Sequence, residues 1–258
     1  MNLSERMEAV VSLVPENAQC VADIGCDHAY VSIALVERAI AKKVIAMDVR
    51  KGPLEIATQN IIRAGYESVI DIRLSNGLEG LSLKEADTVV IAGMGGLLIT
   101  EILSRSMEKL RPADGSKGPV LVLQPQSELY KLRKFLLENQ YSITKENVVI
   151  DEGKYYTVMM AQPEILRSRD GMSCHLCHEY DRTDFLYGRY NLLHQNEILK
   201  QYLLHEKDTL NDISDELDGI KRQLEQTGKE LSKRTEKRLE EVKQAIEDNQ
   251  KGLQYYPD

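Results

Sequence analysis

Over residues 1–162, short runs rich in valine and isoleucine alternate with stretches of helical period, and this alternation restricts the possible folds more than any other feature of the chain. The runs are Cys20 to Ile24, Lys43 to Asp48, Val69 to Leu74, Thr88 to Ala92 and Val120 to Gln124. Between and after them lie Val31 to Ile40, Pro53 to Ala64, Leu97 to Leu110 and Leu129 to Asn139, all with helical spacing of apolar residues. Strands and helices of this length in strict alternation imply right-handed crossovers and a parallel sheet covered on both faces. After the fifth run the rhythm changes. Tyr141 to Ile150 and Tyr155 to Ala161 are joined only by Asp151-Glu152-Gly153-Lys154, a turn that makes them an antiparallel hairpin.

Beyond residue 162 the pattern is different. Residues 163 to about 190 are polar, contain Pro163, Gly171 and Gly188, and read as a linker. Leu210, Ile213, Leu217, Ile220 and Leu224 then recur in steps of three and four, and after Thr227-Gly228-Lys229 the steps resume at Leu239, Val242, Ile246, Asn249 and Leu253. Two heptad helices around a glycine-containing turn predict an antiparallel coiled-coil hairpin. The expected division is thus residues 1–162 as the α/β domain and 163–258 as linker plus hairpin. No apolar run is long enough for a membrane span, and the N-terminus has an amphipathic pattern rather than a signal peptide's apolar core, so the expected location is cytoplasmic. Cys20, Cys26, Cys174 and Cys177 are spaced irregularly, as reduced thiols are. The segment Cys174-His175-Leu176-Cys177-His178 has the form of a haem-attachment or zinc sequence. Haem attachment requires export, and five consecutive residues close a zinc tetrahedron poorly, so no metal is expected.

In a doubly wound sheet, ligands bind beyond the carboxyl ends of the strands, near the point where strand order reverses. The first such turn reads Asp23-Ile24-Gly25-Cys26-Asp27-His28-Ala29-Tyr30. Gly25 permits a tight turn, but Asp27 and Tyr30 replace the second and third glycines of a dinucleotide fingerprint. A carboxylate there repels a pyrophosphate. It suits S-adenosylmethionine, which carries a sulfonium and an ammonium group. Asp48, 25 residues after Asp23, is placed to accept both ribose hydroxyls of a nucleoside, a role shared by both cofactor classes. Asn76 and Gly77 follow the third strand, where an adenine would lie, although Asn-Gly is also simply a common turn. After the fourth strand, Ala92-Gly93-Met94-Gly95-Gly96 forms either a glycine-rich helix entry or, the favoured reading, a floor bare enough for a flat base to approach the methyl group. Together with the closing hairpin, these turns predict a Rossmann-like class I methyltransferase sheet of seven strands. The Asp/Asn-Pro-Pro-Tyr loop of many amino-methylating enzymes is missing, which points away from an exocyclic amine as the target.

The octet DIGCDHAY at Asp23 to Tyr30, NGL at Asn76 to Leu78, IAGMGG at Ile91 to Gly96 and LQP at Leu123 to Pro125, in this order, resemble the TrmK family. Its members are bacterial tRNA methyltransferases that modify N1 of adenosine 22 with S-adenosylmethionine and carry a C-terminal coiled-coil hairpin. Two features depart from the family: Cys26 stands where Ser or Thr is expected, and the Cys174 to His178 segment has no counterpart. The resemblance implies that Asp23, Gly25, Asp48, Asn76, Gly77 and the Ala92-Gly93-Met94 stretch line the cofactor. It places Asp27, His28 and Tyr30 at the methyl-transfer site. A small-molecule methyltransferase with the hairpin as dimerising or capping element, and an inactive RNA-binding scaffold, are the alternatives.

Charge bears on the partner. The chain has 33 basic and 41 acidic residues, a net charge of −8. Residues 1–162 hold 18 basic against 21 acidic, and 163–258 hold 15 against 20, so neither part is basic overall. Contact with tRNA is therefore expected from local clusters: Arg38, Lys42 and Lys43; Lys131, Arg133 and Lys134; and Lys229, Lys233, Arg234, Lys237 and Arg238 at the hairpin tip.

Overall fold

The valine- and isoleucine-rich runs all form strands, and the hairpin closes the sheet. The computed structural model describes residues 3–164, 180–227 and 230–257, in two compact units, Met1–Tyr180 and Asp181–Asp258. The first unit contains β1 (Val21–Ile24), β2 (Val44–Asp48), β3 (Ile70–Leu74), β4 (Thr88–Met94), β5 (Val120–Pro125), β6 (Tyr141–Asp151) and β7 (Lys154–Pro163). They form one sheet in the order β3-β2-β1-β4-β5-β7-β6. The first five are parallel, and β7 is antiparallel to both β5 and β6. The order runs outward from β1 to β3 and then returns to β4 on the other side of β1, which opens a crevice at the strands' carboxyl ends.

Side-chain parity explains why these strands read as continuous apolar runs. Val21, Val44, Ala46, Val90 and Val122 face one layer, formed with α1 (Glu5–Leu13), α2 (Tyr30–Glu37) and α3 (Lys51–Ala64). Ala22, Ile24, Ile45, Met47, Val89, Ile91, Leu121 and Leu123 face the other, formed with α4 (Gly96–Ser104), α5 (Met107–Leu110) and α6 (Leu129–Glu138). These strand positions are therefore buried by helices on one side or the other. Each large aliphatic side chain so covered contributes roughly 1.5–3 kcal/mol.

Two elements differ from expectation. The helix expected over Leu97 to Leu110 breaks after Ser104, where Ser106 leaves helical backbone (φ −126°) and a second short helix starts. The fourth strand does not stop at Ala92. It continues through Gly93 to Met94, with a register shift against β5 between Ala92 and Met94.

The second unit is helical. A π-helical turn at Asp184–Gly188 leads into α7 (Arg189–Leu193), then α8 (Glu197–Gln226) and α9 (Lys233–Leu253). The described end of the expected linker is thus helical, and its buried Phe185, Tyr187 and Leu192 belong to this unit. The π register and Gly188 (φ +89°) break the 3.6-residue period that would have revealed it. Asn249 near the end of α9 donates to the Leu203 carbonyl near the start of α8, 2.9 Å away, so the two long helices run antiparallel. Asn249 also reaches Glu206, which accepts from the Tyr187 and Tyr202 hydroxyls, a polar core at the base of the hairpin. Farther out, the expected seam is only half-covered, and Ile220 is 39% exposed. The Cys174 to His178 segment lies outside the described residues. Among those that are described, no helix is long and apolar enough to cross a membrane.

Candidate active site

The crevice beyond β1 to β5 holds a cavity of about 490 Å³, within the range of small-molecule sites. Asp23, Gly25, Asp27, His28, Tyr30, Asp48, Asn76, Gly77, Ala92, Gly93 and Met94 all line it, so separate turns bring the expected residues to one place.

The turn after β1 is the most constrained. Gly25 and Cys26 both donate backbone N–H to the Met47 carbonyl, at 2.8 and 3.0 Å, which pins the turn to β2. Gly25 sits at φ +71°, and a Cβ there would also collide with the Met94 terminal methyl. Asp27 (φ +49°) and Ala29 (φ +61°) are left-handed as well. Non-glycine residues in that region cost roughly 1–2 kcal/mol each, with aspartate better tolerated than alanine. Such strain persists only where surrounding structure enforces it. It lifts the Asp27 carboxylate into solvent, 58% exposed, 3.7 Å from His28 Nε2 and 3.9 Å from the Arg50 guanidinium. His28 meets Tyr30 edge to face with ring centres 5.8 Å apart, and its Nδ1 is buried without a hydrogen-bond partner among the described residues.

Two further carboxylates lie deeper. Asp23 is 4% exposed and accepts from the Ser32 hydroxyl at 2.6 Å. Burial raises its pKa to about 6 against the lowering effect of Ser32, with the neighbouring Asp48 charge adding to the rise. Asp48 ends β2, buried, and its Oδ1 accepts the Arg50 backbone N–H at 2.8 Å. The Arg50 guanidinium, 3.6 Å from that oxygen, spans Asp48 and Asp27. Beside them, burial and the three aspartates push the Cys26 thiol far up, so it stays protonated and inert.

The remaining turns supply shape. Gly77 (φ +58°) lies against Ile102, whose Cγ2 would be 2.9 Å from an added Cβ. The Asn76 amide donates to Glu79 at 2.9 Å. Gln124, fully buried in β5, accepts the Gly93 N–H at 3.0 Å and so fixes the irregular end of β4. Arg50, Gln124 and Ser32 were not anticipated from sequence. A glutamine inside a valine-leucine strand was the available signal, because a strand covered on both faces admits a polar residue only when it is fully bonded. Arg50 carried no signal beyond following Asp48.

The basic clusters fare unequally. Arg133 is not a surface cation: its side chain is 1% exposed and pairs with the equally buried Glu146 at 2.8 Å. It lies on α6 facing the sheet, and helical spacing alone could not separate it from its exposed neighbours. Arg38 forms a double hydrogen bond with Glu8 at 2.6 and 2.7 Å. Lys42 donates to Gln19, and Lys131 and Lys134 pair with Glu128 and Glu138 close by in sequence. Lys43 is exposed. Lys233 and Arg234 are exposed at the start of α9, with Lys237 and Arg238 near Glu241 one turn on. Lys229 lies outside the described residues.

A family model described as a methyltransferase domain matches residues 3–159. The chain is 35% identical over 162 residues to a tRNA (adenine(22)-N(1))-methyltransferase of Bacillus subtilis (strain 168), a match covering 63% of this chain and 66%, just under two thirds, of that relative. A putative tRNA (m1A22) methyltransferase of Streptococcus pneumoniae, crystallised with S-adenosyl-L-methionine, is 26% identical with a TM-score of 0.76, covering 98% of this chain and 100% of that one. M. capricolum TrmK, solved with S-adenosyl-homocysteine, is 25% identical with a TM-score of 0.75 and covers 99% of both chains.

Proposed function

The chain belongs to the methyltransferase-domain family and, within it, to the TrmK group, and from that premise we propose that it transfers a methyl group from S-adenosylmethionine to N1 of adenosine 22 in tRNA. The observation that carries the reading is the convergence of Asp23, Gly25, Asp27 and Asp48 on one cavity at the switch point of the sheet. The residues fit the cofactor. Gly25 leaves bare backbone on the cavity wall, Asp23 would accept its ammonium group, and Asp48 would accept its ribose hydroxyls. Asn76, Gly77 and the Ala92-Gly93-Met94 stretch would line the rest. When bound, S-adenosylmethionine supplies an electrophilic methyl carbon on a sulfonium.

Adenine N1 carries an in-plane lone pair and no proton at neutral pH, so no side chain has to act as a base. The chain's task is alignment and compensation of the positive charge that develops on the ring. Asp27, lifted into the cavity mouth, accepts a hydrogen bond from the adenine exocyclic amine, which raises N1 nucleophilicity and offsets the product's charge. Arg50 and His28 stand 3.9 and 3.7 Å from that carboxylate, loose charged and polar neighbours, and His28 is a second contact for the amine. Tyr30, 36% exposed beside the cavity, packs on the base. Since N1 lies on the Watson-Crick edge, a paired adenosine must be unstacked first, at a cost of a few kcal/mol.

For the tRNA backbone, Lys233 and Arg234 at the start of α9 are better suited than Arg38, Lys131 and Lys134 of the sheet unit, or Lys237 and Arg238 one turn on, all of which already have acidic partners. Lys233, Arg234, Lys237 and Arg238 occupy the first turns of α9, the end at which the helix dipole is itself positive. Incubation of the purified chain with labelled S-adenosylmethionine and unmodified tRNA, followed by nucleoside mass spectrometry, is expected to yield 1-methyladenosine. Label in another nucleoside, or none, overturns the reading.

A further inference from the structure

The turn that carries Asp27, His28 and Tyr30 is left-handed at Gly25, Asp27 and Ala29. Its first half is bound to β2 through the Met47 carbonyl, and Ala29 N–H closes back on the Cys26 carbonyl at 2.7 Å. Between these ties lies His28, whose backbone carbonyl accepts a hydrogen bond from the side-chain amide of Asn60, 3.0 Å away on α3. Asn60 is a half-buried residue within a 14-residue helix. Asparagine is a poor residue for that position, because its amide competes with the helix backbone. Here the amide points across to another element, and its bond joins α3 to the middle of the strained turn.

We propose that Asn60 is a positioning residue for methyl transfer. By holding the His28 carbonyl, it keeps the left-handed turn in the shape that presents Asp27 and His28 to the base. The proposal rests on the methyltransferase reading for the reaction it serves, but the tether itself is independent of that reading. Asn60 does not line the cavity, so its loss should leave cofactor affinity nearly intact while misplacing the groups that meet the base. Misplacement of this kind lowers rates by on the order of 10- to 100-fold.

The test compares Asn60→Ala, Asn60→Asp and Asn60→Gln with the parent chain. Asn60→Asp keeps the shape but replaces the donor by an acceptor that repels the His28 carbonyl, and Asn60→Gln keeps the donor. Four quantities are measured: single-turnover methyl transfer to tRNA, calorimetric affinity for S-adenosylmethionine, thermal midpoint, and hydrogen exchange of the amides from Gly25 to Ser32. The expected result is slower turnover and faster exchange in this turn for the alanine and aspartate variants, with partial recovery in Asn60→Gln, affinity within about twofold and an unchanged midpoint. Unchanged exchange in Asn60→Ala overturns the tether. Turnover, affinity and midpoint falling together overturns positioning in favour of a merely structural role. If the parent chain transfers no methyl to tRNA, the substrate reading fails, and the exchange experiment still decides whether Asn60 holds the turn.

Discussion

Asp23 and Glu146 are carboxylates buried in the same sheet unit, one beside the cavity and one away from it, and they are stabilised in opposite ways. Glu146 on β6 faces the Arg133 guanidinium at 2.8 Å, a full counter-charge supplied by the chain. Among the described residues, Asp23 on β1 has only the hydroxyl and backbone of Ser32, and its pKa rises to about 6. A buried charge compensated by the chain belongs to the structure. One left short of a cation at the wall of a cavity is suited to receive the cation from a ligand. Asp27 lies between the extremes, exposed and held loosely by His28 and Arg50, which suits the role proposed for it of exchanging partners when a base arrives.

The contrast is broken most sharply at Glu146. Glu146→Gln leaves the Arg133 charge uncompensated in the interior and should destabilise the sheet unit by about 3–5 kcal/mol, measured by denaturant unfolding. Cofactor affinity of the folded fraction should be unchanged.

Asp23→Asn should do the reverse. A carboxyl whose folded pKa is raised stabilises the fold fully below its unfolded value near 3.8, and that stabilisation is lost as pH rises through about 6. At pH 7 the ionised carboxylate therefore costs the fold about 3 kcal/mol, since each tenfold change in proton affinity is worth about 1.4 kcal/mol. Asp23→Asn should be more stable than the parent at pH 7 by up to that amount, with the gap closing at pH 4. Its S-adenosylmethionine affinity should fall, and the parent's affinity should weaken below pH 6 while the variant's stays flat.

Asp27→Ala is expected to lower single-turnover transfer about 10- to 100-fold, the worth of one hydrogen bond to a charged group, with cofactor affinity and stability nearly unchanged. Equal losses of rate and affinity would reassign Asp27 to cofactor binding. The smallest effect is at the hairpin. Lys233→Gln and Arg234→Gln should each shift stability by no more than about 0.5 kcal/mol and reduce the salt dependence of tRNA binding by about one phosphate contact. An unchanged salt slope removes α9 from the RNA surface.

The sheet was legible because strands covered on both faces leave uninterrupted apolar runs, and because β6 and β7 are joined by too few residues for a crossover. The cavity was legible from glycines and acidic residues placed just after strand ends. What escaped the sequence depends on three-dimensional pairing. Arg133 looks like its surface neighbours Lys131 and Lys134 until Glu146, on another element, is placed opposite it. Gln124 and Asn60 act through backbone partners 31 and 32 residues away, which no local pattern records. The helical stretch from Asp184 was hidden by its π turn.

Methyl transfer to two tRNA transcripts differing only at nucleotide 22 tests both the target base and the carboxylate that meets it. With adenosine there, the parent chain should form 1-methyladenosine and Asp27→Ala should form it about 10- to 100-fold more slowly; with guanosine there, neither should incorporate label. Equal incorporation into both transcripts overturns adenosine 22 as the target, and an Asp27→Ala rate equal to the parent's overturns the contact between Asp27 and the base.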